Sequence, residues 1–219
     1  SSVSSFGAIN SAGIFTAIDS GVTNITAAKS TLNSINTIQI TIADTIAPKI
    51  IHSVVSSPRI SNTAITVSAN VDDNAASSSA VKSVKLYYRA SGVTSYYSIN
   101  MTKQSSDNYT AEIPAIAVTT QGLEYYIEAK DNYDNISYYC SSGFTTNLTT
   151  PISITVIDGN AFASIIIEPT NPNLIGAMST QFVCTGVKNN GTTENLTNFV
   201  SWSVTSGVGT ISNSGVYTG

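Results

Sequence analysis

Asp72 and Asp73 close one alternating stretch of the chain, and Asp131 and Asp134 follow another. Four carboxylates, with Asn74, Asn132 and carbonyl oxygens beside them, form the hard oxygen set that calcium takes, since that ion prefers six to eight such ligands. The same residue types also suit loops for their own sake, because Asp and Asn side chains bond the backbone two residues on and tolerate unusual angles. Neither an EF-hand spacing nor a Gly-Asp repeat decides between the two. His52 is the only histidine. Without a second histidine, a Cys/His cluster or a nucleophile-elbow glycine pattern it has no partner for general base work or zinc ligation, so no enzymatic site is expected. A surface or half-buried strand position is expected for it. Cys140 and Cys184 leave two options open, a bridge between them or two free thiols. Sequons fall at Asn24, Asn100, Asn108, Asn135, Asn147, Asn190 and Asn195, with Asn190 in a turn and Asn108 before a strand as the most accessible glycosylation candidates. Calcium is the one cofactor the sequence suggests.

Strands must position these groups. Ile65, Val67, Ala69 and Val71 alternate with Thr66, Ser68 and Asn70; Val84, Leu86 and Tyr88 alternate with Lys85, Tyr87 and Arg89; and Leu123, Tyr125, Ile127 and Ala129 alternate with Glu124, Tyr126, Glu128 and Lys130. Period-two patterning this clean predicts antiparallel sheets with one wet face. Charged residues make up only 10% of the 219, against roughly 25% in an ordinary soluble domain, so solubility rests on Ser, Thr and Asn. Together with Ile, Val and 11 Tyr, that composition points to an all-β protein. A net charge of −4 supplies no basic footprint, so no nucleic-acid partner is expected. Apolar runs such as Ala163–Ile167 fall far below the ~18 residues of a helical membrane span, and none is expected in this segment. Tyr87, Tyr96, Tyr97, Tyr126 and Tyr133 suit either a contact surface or cross-strand pairing on a wet face.

One stretch occurs twice. Gly7-Ala8-Ile9-Asn10-Ser11-Ala12-Gly13-Ile14-Phe15-Thr16-Ala17 is answered, 202 positions on (209 − 7), by Gly209-Thr210-Ile211-Ser212-Asn213-Ser214-Gly215-Val216-Tyr217-Thr218-Gly219. Extended back to Ser1 and Ser203, the pairing keeps Ser1/Ser203, Ser4/Ser206, Gly7/Gly209, Ile9/Ile211, Gly13/Gly215 and Thr16/Thr218 identical. Self-similarity at a fixed period is the mark of a repetitive array.

The run Asp44-Thr45-Ile46-Ala47-Pro48, the strands Ala64–Asp73 and Val84–Arg89, and Tyr109–Pro114 followed by Gly122–Asn132 together resemble the fibronectin type III-like, Ig-like modules of large prokaryotic surface proteins. Ser164–Pro169, Gln181–Gly186, Asn189–Thr192, Val200-Ser201-Trp202-Ser203-Val204 and the closing hairpin resemble the first half of a bacterial Ig-like domain of group 2, the intimin and invasin type, and residues 1–42 resemble the second half. The resemblance implies three segments: 1–43 as the C-terminal half of an Ig-like domain, 44–150 as a complete sandwich, and 151–219 as the N-terminal half of another. It also implies that the loops carrying Asp72, Asp73, Asp131 and Asp134 emerge at one end of the sandwich, and that Cys184 and Trp202 are core residues. The halves make one domain only if the hairpin is counted once. A covalent array of about 202 residues per period, or strand exchange between subunits, would satisfy that. The expectation is an extracellular or cell-surface structural protein of a filament, sheath or surface layer whose partners are copies of itself. The alternative is an adhesin stalk or recognition module for a cell surface or glycan.

Overall fold

The computed structural model describes residues 2–34, 36–73, 80–175 and 178–219, and the chain is all-β. Asn74 lies outside the described residues. Contacts divide the chain into two units, Ser1–Ser57 with Asn62–Thr155, and Pro58–Ser61 with Val156–Gly219.

The first unit opens with a three-stranded meander of β1 (Ser2–Ser4), β2 (Gly7–Ile9) and β3 (Phe15–Ala17). Its tip turns at Gly13, whose φ of 81° is the left-handed conformation glycine adopts without penalty. A two-stranded ribbon follows, β4 (Gly21–Ile25) against β7 (Ile38–Ile42), with β5 (Ala28–Lys29) and β6 (Leu32–Asn33) closing the bend between them. The register sets Gly21 opposite Ile42, Thr23 opposite Ile40 and Ile25 opposite Ile38, so the isoleucines share one face.

The body of this unit is a sandwich of two antiparallel sheets. One has the order β13 (Thr102–Ser105), β14 (Asn108–Ile113), β10 (Ile65–Asp72), β8 (Lys49–His52). The other runs β12 (Tyr97–Asn100), β11 (Val81–Ala90), β15 (Leu123–Asp131), β16 (Ile136–Cys140), β17 (Gly143–Thr145), and β18 (Ile152–Ile154) shares the β16 side of β15. Between β8 and β10 the chain passes through β9 (Arg59–Ile60), which belongs to the second unit. The expected alternation holds: Ile65, Val67, Ala69 and Val71 of β10, Val84, Leu86 and Tyr88 of β11, and Leu123, Tyr125, Ile127 and Ala129 of β15 are all buried. Period two places each set on one side, and facing two such sides removes both from water. On the outer face Tyr126 departs from the expected exposure and is buried. Tyr87, its register partner, stacks on it at 4.8 Å, and Tyr96 and Tyr138 meet it edge-on at 5.0 and 6.1 Å. Cross-strand pairing therefore consumes much of the tyrosine surface.

His52 is also buried, contrary to the sequence expectation, because the β8 register opposite Ala69 turns it inward. Its Nδ1 lies 2.6 Å from the Ser68 carbonyl, and its Nε2 lies 2.9 Å from the Tyr125 hydroxyl, which in turn accepts the Val55 N–H at 3.1 Å. The consistent tautomer is Nδ1–H donating to Ser68 and Nε2 accepting from Tyr125. A polar chain thus ties the two sheets together across the core.

The second unit holds β19 (Val156–Ile157), parallel to β9; a sheet of β20 (Phe162–Glu168), β22 (Val183–Lys188) and β23 (Thr193–Asn195); and a sheet of β21 (Ser179–Gln181), β25 (Val216–Thr218) and β24 (Thr210–Ile211). Cys184 is fully buried in β22, and Gly186 lies under the Phe162 ring and the Leu196 side chain. Val200–Val204 reads as a strand from its alternation but forms none. A strand exists only where a neighbour takes its backbone bonds, and no described residue pairs with this one. Trp202 is half-buried, tilted against Phe182 at 6.4 Å, with its indole N–H donating to the Thr197 carbonyl at 2.9 Å.

Burial holds the His52 imidazole below its ordinary pKa and outweighs the Ser68 bond that would raise it, while burial pushes Tyr125 up to about 12. The unfolded chain therefore takes a proton near pH 6.5 that the folded chain refuses, so stability falls as pH drops through 6.5 toward the lower folded value. The unfolding free energy of the first unit, read from denaturant titrations, should decline over this window with a limiting slope of about 1.4 kcal/mol per pH unit, and His52→Asn should flatten that slope. Tyr125→Phe leaves the Val55 N–H and His52 Nε2 without this partner and should cost about 1–3 kcal/mol in the same measurement.

Candidate functional site

Asp131 ends β15 on the same side as Leu123, Tyr125, Ile127 and Ala129, so the strand's alternation carries a carboxylate into the core and leaves it fully buried. Asp73 follows β10 by one residue and continues its inward set. These two sequence candidates come together, and Asp44, whose only sequence signal was its place before Pro48, joins them: one carboxylate oxygen from each lies within 4.8 Å of the others. That span is about twice a Ca–O bond of roughly 2.4 Å, the separation of two oxygens across one ion.

The loop after β15 shapes the cluster. Asp131 Oδ1 accepts the Tyr133 and Asn135 N–H groups at 2.8 Å each, and Oδ2 accepts Asn135 Nδ2–H at 2.8 Å. The same Asn135 amide donates to the Asp44 carbonyl at 3.1 Å, and Asp44 Oδ1 accepts the Ile46 N–H at 2.8 Å. Turn-forming and ion-holding geometry thus meet on the same carboxylates. The remaining candidates stand elsewhere. Asp72 occupies the exposed face of β10. Asp134 is exposed and ion-paired with Lys82 at 2.9 Å and Lys130 at 3.0 Å; the Lys82 bond leads in holding its pKa below the ordinary value. Asn132 is exposed. Asp44, Asp73 and Asp131 are the residues that could hold a divalent cation, and their all-oxygen chemistry suits calcium over zinc.

Cys140 and Cys184 are both free and buried, one in each unit, so the bridge between them is not formed. Burial pushes the Cys140 thiol up, but hydrogen bonds with Ser142 and Thr149 outweigh it and leave its pKa below the ordinary value. Asn108 is half-buried at the start of β14, with its Nδ2 donating to Asn70 Oδ1 at 3.4 Å. Asn135 likewise commits its Nδ2 to the acidic cluster. Asn190 stays exposed in its turn, its Oδ1 accepting the Thr192 N–H and hydroxyl at 3.0 and 2.7 Å.

The largest departure from an ordinary folded surface is apolar. In β20 every side chain is exposed, with Ile165 at 54%, Ile166 at 49% and Ile167 at 45%. Near the N-terminus Ile18, Val22 and Ile38 are comparably exposed. Isolated surface apolars need no explanation, but consecutive isoleucines about half exposed on both faces of one strand are unusual for a folded surface.

If the acidic cluster binds calcium, a concentration 100 times its Kd should stabilise the first unit by about 2.7 kcal/mol, and Asp73→Asn should remove the increment. Thermal melts with calcium and with chelator check this, and identical melts would assign the cluster to loop bracing alone. Comparison with family models and with curated proteins finds no match for this chain.

Proposed function

We propose that the chain is a structural repeat unit of an extracellular filament, sheath or surface layer, built of Ig-like modules and completed by the next repeat or a neighbouring subunit. The observation that carries this reading is β20, where a strand of core composition lies exposed on both faces. Fully burying an exposed isoleucine contributes about 1.5–3 kcal/mol, so covering the half of each that remains exposed contributes on the order of 1 kcal/mol, against the about 5–15 kcal/mol of net stability of a whole domain. Three consecutive half-exposed isoleucines therefore supply an unspent driving force for association. The low charge of the chain favours close lateral packing of neighbours, and the repeated hairpin supplies a period. In this reading the protein's work is mechanical, with no catalytic step.

The alternative, a recognition module for a glycan or cell surface, has one feature in its favour. The outer face of the sandwich carries Tyr87, Tyr96 and Tyr138 around Tyr126, with the Arg89 guanidinium 4.3 Å from the Tyr96 ring centre and paired to Glu124 at 2.7 Å. Stacked rings beside a fixed ion pair offer a flat amphipathic platform.

Antibodies raised against the chain should decorate regular filaments or a lattice outside the cell in electron micrographs of native material. Diffuse label within the cell would overturn the reading.

A further inference from the structure

The two copies of the hairpin share their turn and the pairing of their two arms, although Ser2–Ser4 adds a strand beside the first and Ser179–Gln181 adds one beside the second. In the first, Ala8 pairs with Thr16 and Ile9 with Phe15; in the second, Thr210 pairs with Thr218 and Ile211 with Tyr217, each shifted by 202. The tips agree as well. Asn10 N–H donates to Ile14 O and Gly13 N–H to Asn10 O, both at 3.0 Å, while Ser212 N–H donates to Val216 O and Gly215 N–H to Ser212 O, both at 2.9 Å. Gly13 and Gly215 turn with φ of 81° and 78°. A Cβ on Gly7 would strike the Phe15 ring and the Thr16 carbonyl, and one on Gly209 would strike Tyr217 and the Thr218 carbonyl.

What differs is what lies against them. On the first hairpin the following segment is seated: Ile18 and Asp19 donate their N–H groups to the Phe6 carbonyl at 3.0 and 3.3 Å, and the Phe6 ring lies over Gly21, 2.5 Å from where a Cβ would stand. The position equivalent to Phe6 is Val208, and its side chain is 81% exposed. Leu174, Phe182, Val208 and Tyr217 border an open groove of about 570 Å³ there. The Tyr217 hydroxyl, which Phe15 lacks, donates to the Val208 carbonyl at 2.5 Å and leaves that oxygen a second lone pair.

We infer that the second hairpin is a seat for Ile18–Ile42 of a second copy of this chain, with Gly21 of that copy under Val208 and its Ile18 amide on the Val208 carbonyl. The inference rests on the repeat-unit reading and names the contact that completes it. The occupant is identified by the first hairpin, which already holds this segment on an equivalent surface. The seated segment brings with it the β4–β7 ribbon, whose isoleucine face is only partly covered here, Ile38 being 58% exposed. In the assembly the 203–219 hairpin of one copy takes the place that the 1–17 hairpin of the next holds in this chain. Within this chain the Phe6 ring leaves no room for a Cβ at position 21, and the φ of 141° disfavours any other residue there whichever side chain covers it.

A synthetic peptide of residues 18–43, titrated onto the full 219-residue chain, tests this, with the emission of Trp202, the only tryptophan, as the readout. Saturable change is expected, with binding about five- to a hundredfold weaker for the peptide carrying Gly21→Leu, whose side chain overpacks the seat, and for the chain carrying Val208→Asp, which would bury a carboxylate there. No saturable change, or equal binding by the Gly21→Leu peptide, would overturn the inference. If native material forms a lattice while the peptide fails to bind, assembly uses another surface and only the seat is lost. If the peptide binds while native material is dispersed inside the cell, the seat stands and the proposed function falls.

Discussion

An apolar strand face is stable only against a second apolar layer, and every other feature of this protein follows from where that condition is met. In the sandwich it is met on both sides: β10 and β15 turn their odd-numbered residues toward each other and the sheets exclude water between them. In β20 it is not met, although Ile165, Ile166 and Ile167 are as hydrophobic as Ile65 and Val67. The contrast is one of partners, not composition. The same shortage explains Val200–Val204, where an alternating stretch stays out of any sheet because nothing described takes its ladder bonds.

Within the sandwich, His52 and Asp131 are buried with their bonds made. His52, Tyr125, Ser68 and Val55 form one chain of donors and acceptors across the core, and burial makes each link more costly to lose. Asp131 is treated in the same way, with two backbone amides and one side-chain amide around its carboxylate. Three carboxylates so close, two of them buried, repel one another strongly in a medium less polar than water. The amides of Ile46, Tyr133 and Asn135 offset part of that repulsion, and a divalent cation would offset more.

The outer face of the sandwich shows how a wet surface can be organised with few charges. Tyr126 is covered by other tyrosines, so the rings bury much of their area against one another, and the Tyr87 hydroxyl donates to Glu128 at 3.4 Å. Burial, with Tyr87 and Glu128 close by, pushes the Tyr126 hydroxyl pKa far above its ordinary value, which keeps the cluster neutral throughout the physiological range. Arg89 and Glu124 pin its edge.

Period-two alternation made the all-β class and the inward sets of β10, β11 and β15 legible from sequence alone, because these depend on neighbours one or two residues away, and identity at an offset of 202 did the same for the recurrence of the hairpin. Asp72, Asp73, Asp131 and Asp134 could be named together as candidates from their places at strand ends, although nothing local showed that Asp73 and Asp131 alone among them would converge. Asp44 could not, since it joins them only through a fold that brings residues 44, 73 and 131 together, and no local pattern encodes that. The inward turn of His52 and the sheltering of Tyr126 were likewise decided by pairing register between distant strands. Local periodicity determines which side of a strand is apolar; only tertiary structure decides whether anything covers it, because burial is a property of two surfaces and a sequence describes one at a time.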